Sequence, residues 1–225
     1  MTRLVLHRDV SYCSVDGQLI FLDTRTDRYF RLSDELEAAF RRHIDGRPAT
    51  HDHLARLVER GVLTPESPAQ SQPPSLSIPV PTCSALERIA EHRHGLPLPL
   101  AKTAALVGLT QLQLKTMSLQ RVLTRLAAAR ARLGQSAPVY ADERSRTLEA
   151  VSGFASARRF VPIATCCLLD SVALLKFLTM RRIHAHLVFG VMAEPFAAHC
   201  WIQRGEEILN DTLGHATAHT PIRVI

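Results

Sequence analysis

The sequence predicts an α+β protein of two domains, and three observations lead to that prediction. Residues 1–64 hold three short β-type runs followed by two helical patterns, which is typical of a small winged-helix-like module. Residues 65–83 hold six of the thirteen prolines and one charged residue, and segments of this composition form semi-extended linkers. Residues 84–225 begin with helical patterns and end with strand patterns, which indicates a second, larger domain.

In the first domain the predicted elements are bounded by turn and capping signals. Strands are predicted at 5–14, 17–23 and 27–32, and helices between Ser33 and Gly46 and between Thr50 and Arg60. Val15-Asp16-Gly17 is a turn signal between the first two strands. Ser33 is a predicted helix N-cap, and Asp45-Gly46 a predicted helix end.

In the second domain helical periodicity gives way to strands. It runs through 84–160, most clearly from Leu112 to Leu126, and that run ends at Gly134. A further helix opens at Thr165 or Cys166 and reaches Met180. The remaining predictions are a buried strand at 185–191 and a hairpin whose strands, 197–203 and 207–212, are joined across Gly205.

The composition is that of a folded protein whose positive charge is local. Of 225 residues, 46% are hydrophobic and 21% charged, which excludes a disordered or collagen-like chain. The net charge is +6, but residues 1–63 contain ten arginines and ten acidic residues, whereas a DNA-binding winged helix should be basic. We therefore expect no nucleic acid partner.

The excess positive charge lies in residues 84–160, which hold twelve Lys and Arg against five acidic residues. Four arginines of one predicted helix would form either a docking face for an acidic partner or a solvated helix face: Arg121, Arg125, Arg130 and Arg132.

No targeting or membrane segment is visible in the sequence. Charged residues lie at the N-terminus where the apolar part of a signal peptide would be, and apolar runs are shorter than the ~20 residues of a membrane span. Five cysteines are an odd number without the spacing of a disulfide framework. We therefore expect a cytoplasmic protein with reduced thiols and no membrane partner.

Cys167 is the candidate nucleophile. It lies in the first turn of a predicted helix, where unpaired backbone N–H groups and the helix dipole favour a thiolate. Adjacent helix residues point about 100° apart, so only one of Cys166 and Cys167 can face the hairpin. The alternative is that Cys167 is a small core residue, which is also the expectation for Cys200.

His199 and Asp211 are the candidate base and carboxylate. If Gly205 is the centre of an odd-numbered loop, Asp211 lies directly opposite His199 on the neighbouring strand. A one-residue bulge would break this pairing. With a thiol at a nearby helix start, such a pair could deprotonate the thiol while the carboxylate fixes the imidazole tautomer.

Two pairs of histidines raise the alternative of a metal site. His215 and His219 have the spacing of one helix face, and His184 and His186 lie on one strand face. The glutamate of an HExxH motif is absent, and among eleven histidines such pairs arise by chance. We therefore expect no bound metal.

The C-terminal part of the sequence resembles a known family. The matching positions are Cys167-Leu168, Ser171, Ala173, Arg182, Leu187–Val191, Pro195–Trp201 and Asn210-Asp211. The string Pro-Phe-x-Ala-His-x-Trp followed by Asn-Asp is similar to the lasso-peptide B proteins, leader peptidases of the transglutaminase-like (papain-like) superfamily. The resemblance implies that Cys167 is the nucleophile, His199 the general base and acid, and Asp211 the orienting carboxylate. Two positions depart from the family pattern: Cys200, where the family usually has a small residue, and Ile183, where it commonly has Gly.

The N-terminal part resembles the PqqD-like peptide recognition element that accompanies such peptidases. The resemblance lies in Val15–Gln18 and in Leu22–Ser33. In that family the leader peptide adds as a strand beside the third strand and packs on the neighbouring helix, which is β-augmentation. The implied peptide-binding residues are Arg28, Tyr29, Phe30, Arg31 and Leu32 on the strand, and Leu54 and Leu57 on the helix.

Together the resemblances imply a cysteine protease that removes the leader of a lasso-peptide precursor before the macrolactam ring forms. The implied partners are the precursor and a macrolactam synthetase that uses ATP. Because this sequence has no Walker-type phosphate loop, we expect no cofactor on this chain. The alternatives are a transglutaminase-like acyltransferase, in which an amine replaces water, and a non-catalytic peptide-binding module.

Overall fold

The chain divides into two compact units, Met1–Leu76 and Ser77–Ile225. The structure is a computed structural model, and it describes residues 3–67, 78–91, 100–134 and 143–225. Residues 68–77 of the predicted linker lie outside these ranges. Thr82, at the end of the predicted linker, belongs to the second unit, and its N–H donates to the Glu206 carbonyl at 2.8 Å.

The first unit is built from two small sheets and two helices. Its elements are β1 (Leu4–Leu6), β2 (Val10–Val15), β3 (Gln18–Asp23), β4 (Arg28–Phe30), α1 (Asp34–Ile44), α2 (His51–Glu59) and β5 (Leu63–Pro65). Strands β2, β3 and β4 form an antiparallel meander. The predicted turn is confirmed at Asp16 and Gly17, whose φ angles of 51° and 81° are both positive, as a two-residue hairpin turn requires.

The predicted strand at 5–14 is two strands in the structure. A turn in which the Val10 N–H donates to the His7 carbonyl at 2.8 Å separates β1 from β2. Strand β1 instead pairs antiparallel with β5. The break falls at three consecutive polar residues, His7-Arg8-Asp9, which the prediction included in one strand.

The helices of the first unit close its hydrophobic core. Ser33 is the N-cap of α1, but its side chain makes no capping hydrogen bond. Leu36 and Phe40 of α1 and Leu57 of α2 are buried with Phe21 of β3. Burying an aliphatic or aromatic side chain contributes about 1.5–3 kcal/mol, so this aromatic-rich cluster is a main source of the unit's stability.

In the second unit helices pack against a five-stranded sheet. Its elements are β6 (Cys83–Ser84), α3 (Ala85–Glu91), α4 (Leu100–Thr116), α5 (Leu119–Gly134), α6 (Glu143–Arg158), α7 (Cys167–Met180), β7 (His186–Met192), β8 (Ala197–Arg204), β9 (Glu207–Ile208), α8 (Leu213–Thr217) and β10 (Thr220–Val224). The strand order is β10-β7-β8-β9-β6, antiparallel except for the β6–β9 pair. No helix among the described residues is long and apolar enough to cross a membrane.

Helix α7 is the central element of this unit. It packs against β8 and β7 on the sheet and against α4, α5 and α6, and its buried side chains therefore surround the helix. The periodic run that includes Leu112 and Leu126 is not one helix, because it is interrupted between Thr116 and Leu119. Leu112 is exposed on α4, whereas Leu126 is buried on α5.

Candidate active site

Cys167 is the first residue of α7, and a buried arginine shapes the chain just before it. Arg158 donates from Nε to Asp170 Oδ1 at 2.6 Å. Its Nη1 and Nη2 atoms donate to three carbonyls of the 161–164 segment at 3.0–3.3 Å. Asp170 Oδ2 accepts from the backbone N–H of Cys166 at 3.3 Å. These contacts of Arg158 and Asp170 therefore connect the 161–164 segment to the first turn of α7 and fix the position at which the helix begins with Cys167.

The thiol of Cys167 interacts with two side chains of β8. Hydrogen bonds with Cys200 and His199 lower the pKa of Cys167 to about 4, although burial acts in the opposite direction. The hydrogen bond to Cys167, followed by burial, raises the pKa of Cys200, so Cys200 stays a thiol that donates to the thiolate. Cys166 is exposed and Cys200 buried, which confirms the expected core position of Cys200.

His199 lies on β8 directly opposite Gly190 of β7. Trp201, two residues along the same strand face, has its ring stacked with the imidazole at a centroid distance of 6.2 Å. A Cβ atom on Gly190 would come within 2.7 Å of the indole and 2.9 Å of His219 Cβ. The absence of a side chain at Gly190 therefore makes room for the rings that surround His199.

Asp211 holds one nitrogen of His199. The Nε2 atom of His199 is 2.6 Å from Asp211 Oδ2, and each side chain is only 15% exposed. Burial alone would lower the pKa of His199, but hydrogen bonds with Asp211 and Cys167 outweigh it and raise that pKa to about 9. Burial likewise opposes ionisation of Asp211, yet its hydrogen bond from His199 keeps its pKa below the usual value.

The register that led to this pair is wrong by one residue. Gln203 pairs with Ile208 and Arg204 with Glu207, so the loop is the two-residue Gly205-Glu206 rather than an odd-numbered one. Strand β9 also ends at Ile208, earlier than the predicted 212. Asp211 reaches His199 because the chain bends after β9, not because it continues as a paired strand.

A hydrogen-bond network that the sequence did not predict holds this bend. Asn210 accepts from the Ile202 N–H at 2.7 Å and donates to Ser171 Oγ at 2.9 Å, which links β8 to α7. Ser84 Oγ donates to the Asp211 carbonyl at 2.6 Å. Asn210 and Ser171 belong to the matching motif positions, which was a signal for them, whereas no pattern in the sequence pointed to Ser84.

A second histidine contacts the same carboxylate. His215 Nδ1 lies 2.9 Å from Asp211 Oδ2 and 3.1 Å from Oδ1. Ligand atoms of His199, Asp211 and His215 all lie within 4.8 Å of one another, so this group of described residues could hold a metal ion. In this structure one nitrogen of each imidazole, Nε2 of His199 and Nδ1 of His215, is hydrogen-bonded to the carboxylate.

The histidine pairs singled out from the sequence have other contacts. His219 Nδ1 is 2.9 Å from the His215 carbonyl. His186 lies 3.0 Å from a guanidinium nitrogen of Arg130, and a neighbouring cation opposes the binding of a metal ion. Arg130 is therefore turned toward the sheet, and of the four arginines considered as a docking face, Arg121, Arg125 and Arg132 are exposed.

The residues implied in peptide binding all lie in the first unit, some at its surface and some in its core. Arg28 and Arg31 are exposed, and Tyr29, Phe30 and Leu54 are half-buried. Leu32 and Leu57 are buried, Leu57 completely, and both belong to the core cluster of this unit. Only β4 residues Arg28, Tyr29 and Phe30 are in a strand, because β4 ends earlier than predicted.

Comparison with known proteins places these residues in a family. The profile of the transglutaminase-like superfamily matches residues 106–224, which include Cys167, His199 and Asp211. A 45-residue stretch is 47% identical to the microcin J25-processing protein McjB of Escherichia coli. It covers 20% of this chain and 22% of that protein, so the match spans about a fifth of the relative. No solved structure shows significant similarity.

The family match extends from within α4 to the last strand, so it covers α5 to α8, strands β7 to β10 and the three candidate catalytic residues. It accounts for more than half of the chain. The chain belongs to the transglutaminase-like superfamily.

Proposed function

We propose that the chain is a cysteine peptidase that removes the leader from a lasso-peptide precursor before the macrolactam ring is closed. The observation that carries the proposal is the interaction of Cys167 with His199, whose Nε2 atom is held by Asp211 at 2.6 Å. The local similarity to a microcin-processing protein supports the substrate class.

In the proposed reaction Cys167 is the nucleophile. Because Asp211 occupies Nε2 of His199, Nδ1 is the nitrogen left to exchange a proton with the thiol. The Cys167 thiolate attacks the carbonyl at the leader–core junction, and the His199 imidazolium gives its proton to the leaving amine. Water, deprotonated by His199, then hydrolyses the thioester and frees the leader.

The oxyanion of the tetrahedral intermediate needs hydrogen-bond donors. The first N–H groups of a helix have no partner within it, and the N–H of Cys167 belongs to this set. We propose it as one donor. No cofactor on this chain takes part in the proposed chemistry.

The first unit is the proposed leader-binding element. Among the described residues β4 is an edge strand, because the meander order is β2-β3-β4. An edge strand offers backbone N–H and C=O groups to an added peptide strand. Since Leu32 and Leu57 are buried in the core, we assign the direct contacts to Arg28, Tyr29, Phe30 and Arg31 and to Leu54.

The proposed partner is the synthetase that closes the ring and consumes ATP. The exposed Arg121, Arg125 and Arg132 of α5 are candidates for docking it. Changing Arg121 and Arg125 to Glu should weaken the complex more at low than at high salt, because screening reduces surface attraction. Equal weakening at both salt concentrations would contradict electrostatic docking.

Mass spectrometry of a candidate lasso precursor, incubated with the purified protein with and without synthetase and ATP, tests the function. Leader removal should fall by at least about 10³-fold in Cys167→Ala, while leader binding by the same variant is kept. Cys166→Ala is the matched control, because Cys166 is exposed and adjacent, and it should cleave normally. Cleavage by Cys167→Ala would refute the mechanism, and incorporation of an added amine into the product would identify an acyltransferase.

A further inference from the structure

Asp211 is shared by two imidazoles, and the proposed mechanism uses only one of them. His199 Nε2 contacts Oδ2 at 2.6 Å, while His215 Nδ1 contacts Oδ2 at 2.9 Å and Oδ1 at 3.1 Å. The Thr212 N–H also donates to Oδ1, at 2.8 Å. The carboxylate is thus held on both oxygens, on one side by the backbone and on the other by His215.

The position of His215 follows from the short helix α8. Thr212 caps this helix, and its hydroxyl accepts from the His215 N–H at 3.3 Å. The N–H of Leu213, the first residue of α8, donates to Glu87 Oε1 on α3 at 3.0 Å. One turn separates Asp211 from His215, so fixing the start of α8 brings the imidazole beside the carboxylate.

His215 also covers the edge of the His199–Asp211 pair. Its ring centroid lies 4.4 Å from that of His199, and its own side chain is 55% exposed whereas that of Asp211 is 15% exposed. His215 therefore stands between the buried hydrogen bond and solvent. Without it, water would compete for the lone pairs of Asp211.

We propose that His215 is a positioning residue that holds the Asp211 carboxylate aligned on Nε2 of His199. This inference rests on the proposed function, because the alignment matters only if His199 exchanges a proton with Cys167. His215 touches neither the thiol nor the substrate in this account. It acts through its Nδ1–H donor, which defines what a substitute must supply.

Substituting His215 with Asn or Gln tests whether the hydrogen-bond donor or the bulk of the ring is what matters. In Asn the amide nitrogen is as many bonds from Cα as Nδ1 is in His, whereas in Gln it is one bond farther. His215→Asn therefore keeps a donor near Asp211, and His215→Gln does not. Thr217→Ala is the control on the same helix, because Thr217 is exposed and its hydroxyl donates to the Leu213 and Gly214 carbonyls of α8.

The experiment measures kcat and KM for leader removal together with the rate of Cys167 alkylation by iodoacetamide, in variants whose folding is checked by circular dichroism. We expect kcat to fall about tenfold in His215→Ala and His215→Gln with little change in KM, since small misplacements of a catalytic group cost this much or more. His215→Asn should recover to within about threefold of the unchanged protein. Alkylation should follow the same order, and Thr217→Ala should leave both rates unchanged.

The outcomes distinguish this inference from the proposed function. Equal rates for all His215 variants, or an Asn variant no faster than the Gln variant, would overturn the positioning role even if cleavage depends on Cys167. If instead the unchanged protein does not cleave, or Cys167→Ala does, the peptidase proposal fails. The alkylation order then still decides whether His215 acts on the Cys167–His199 pair.

Discussion

Gly190 and His199 face each other as paired residues across β7 and β8, and the space above Gly190 is filled by the indole of Trp201. The His199 imidazole thus lies beside the buried Trp201 indole on the same face of β8, and its partner on β7, Gly190, has no side chain. A residue that takes no part in the chemistry consequently determines the packing around the candidate base.

Replacing Gly190 with Ala should disturb this packing. The added Cβ would lie 2.7 Å from an indole carbon, and overpacking of a filled core costs about 1–3 kcal/mol. Urea unfolding can be followed by the fluorescence of Trp201, the single tryptophan, which reports on the second unit. Gly108→Ala on α4 is the control, since a Cβ there meets no atom within 4 Å. It should be neutral or stabilise by up to about 1 kcal/mol, and equal destabilisation by both would contradict this explanation.

The Cys167–His199 pair predicts a broad pH plateau. Cys167 has a pKa of about 4 and His199 of about 9, so the thiolate forms as pH rises through 4 and the imidazolium is lost as pH rises through 9. Alkylation of residue 167, mapped by peptide mass in a Cys166→Ala background, should be nearly constant between these values and fall below pH 4. Leader cleavage should fall below pH 4 as well, and in addition above pH 9, because the His199 imidazolium that protonates the leaving amine is then lost. A rate that rises only near pH 8.5, as for an ordinary thiol, would refute the pair.

The sequence predicted that His199 and Asp211 lie together, but not the geometry that brings them together. Period-two alternation and the positions of turns assign residues to strand faces, but they leave loop length free by one residue. The two-residue loop at Gly205-Glu206 shifts every pairing in the hairpin, and Asp211 still reaches His199 because Asn210 and Ser84 hold the bend. Such compensation depends on contacts distant in sequence.

Periodicity likewise predicts which residues are helical but not where one helix ends and the next begins. The chain is interrupted between Thr116 and Leu119 although no glycine or proline marks the place. Arg158 shows the same limit, because in the sequence it resembles its exposed neighbour Arg159. Its burial follows from its contacts with Asp170 and the segment before α7.

Arg158→Met should destabilise the second unit. The substitution removes the arginine donor from Asp170 Oδ1 and from three backbone carbonyls, and removing one partner of a buried ion pair costs about 3 kcal/mol. Arg159→Met, at the adjacent exposed position, should change stability by less than about 0.5 kcal/mol. Both can be measured by urea unfolding of the second unit. Similar values for the two variants would show that the Arg158 contacts do not stabilise α7.

Leader binding at the edge of β4 should depend on alternate N–H groups of the leader. In an added strand every second N–H points toward β4 and the others point away. N-methylation removes the donor and adds a methyl group at that atom, so methylation of inward positions should weaken binding about tenfold, equivalent to about 1.4 kcal/mol. Outward positions should tolerate it. Fluorescence anisotropy of singly N-methylated synthetic leaders of a candidate lasso precursor, titrated with Cys167→Ala to prevent turnover, measures the pattern. A period of two supports β-augmentation, whereas uniform effects or a repeat of three to four residues would contradict it.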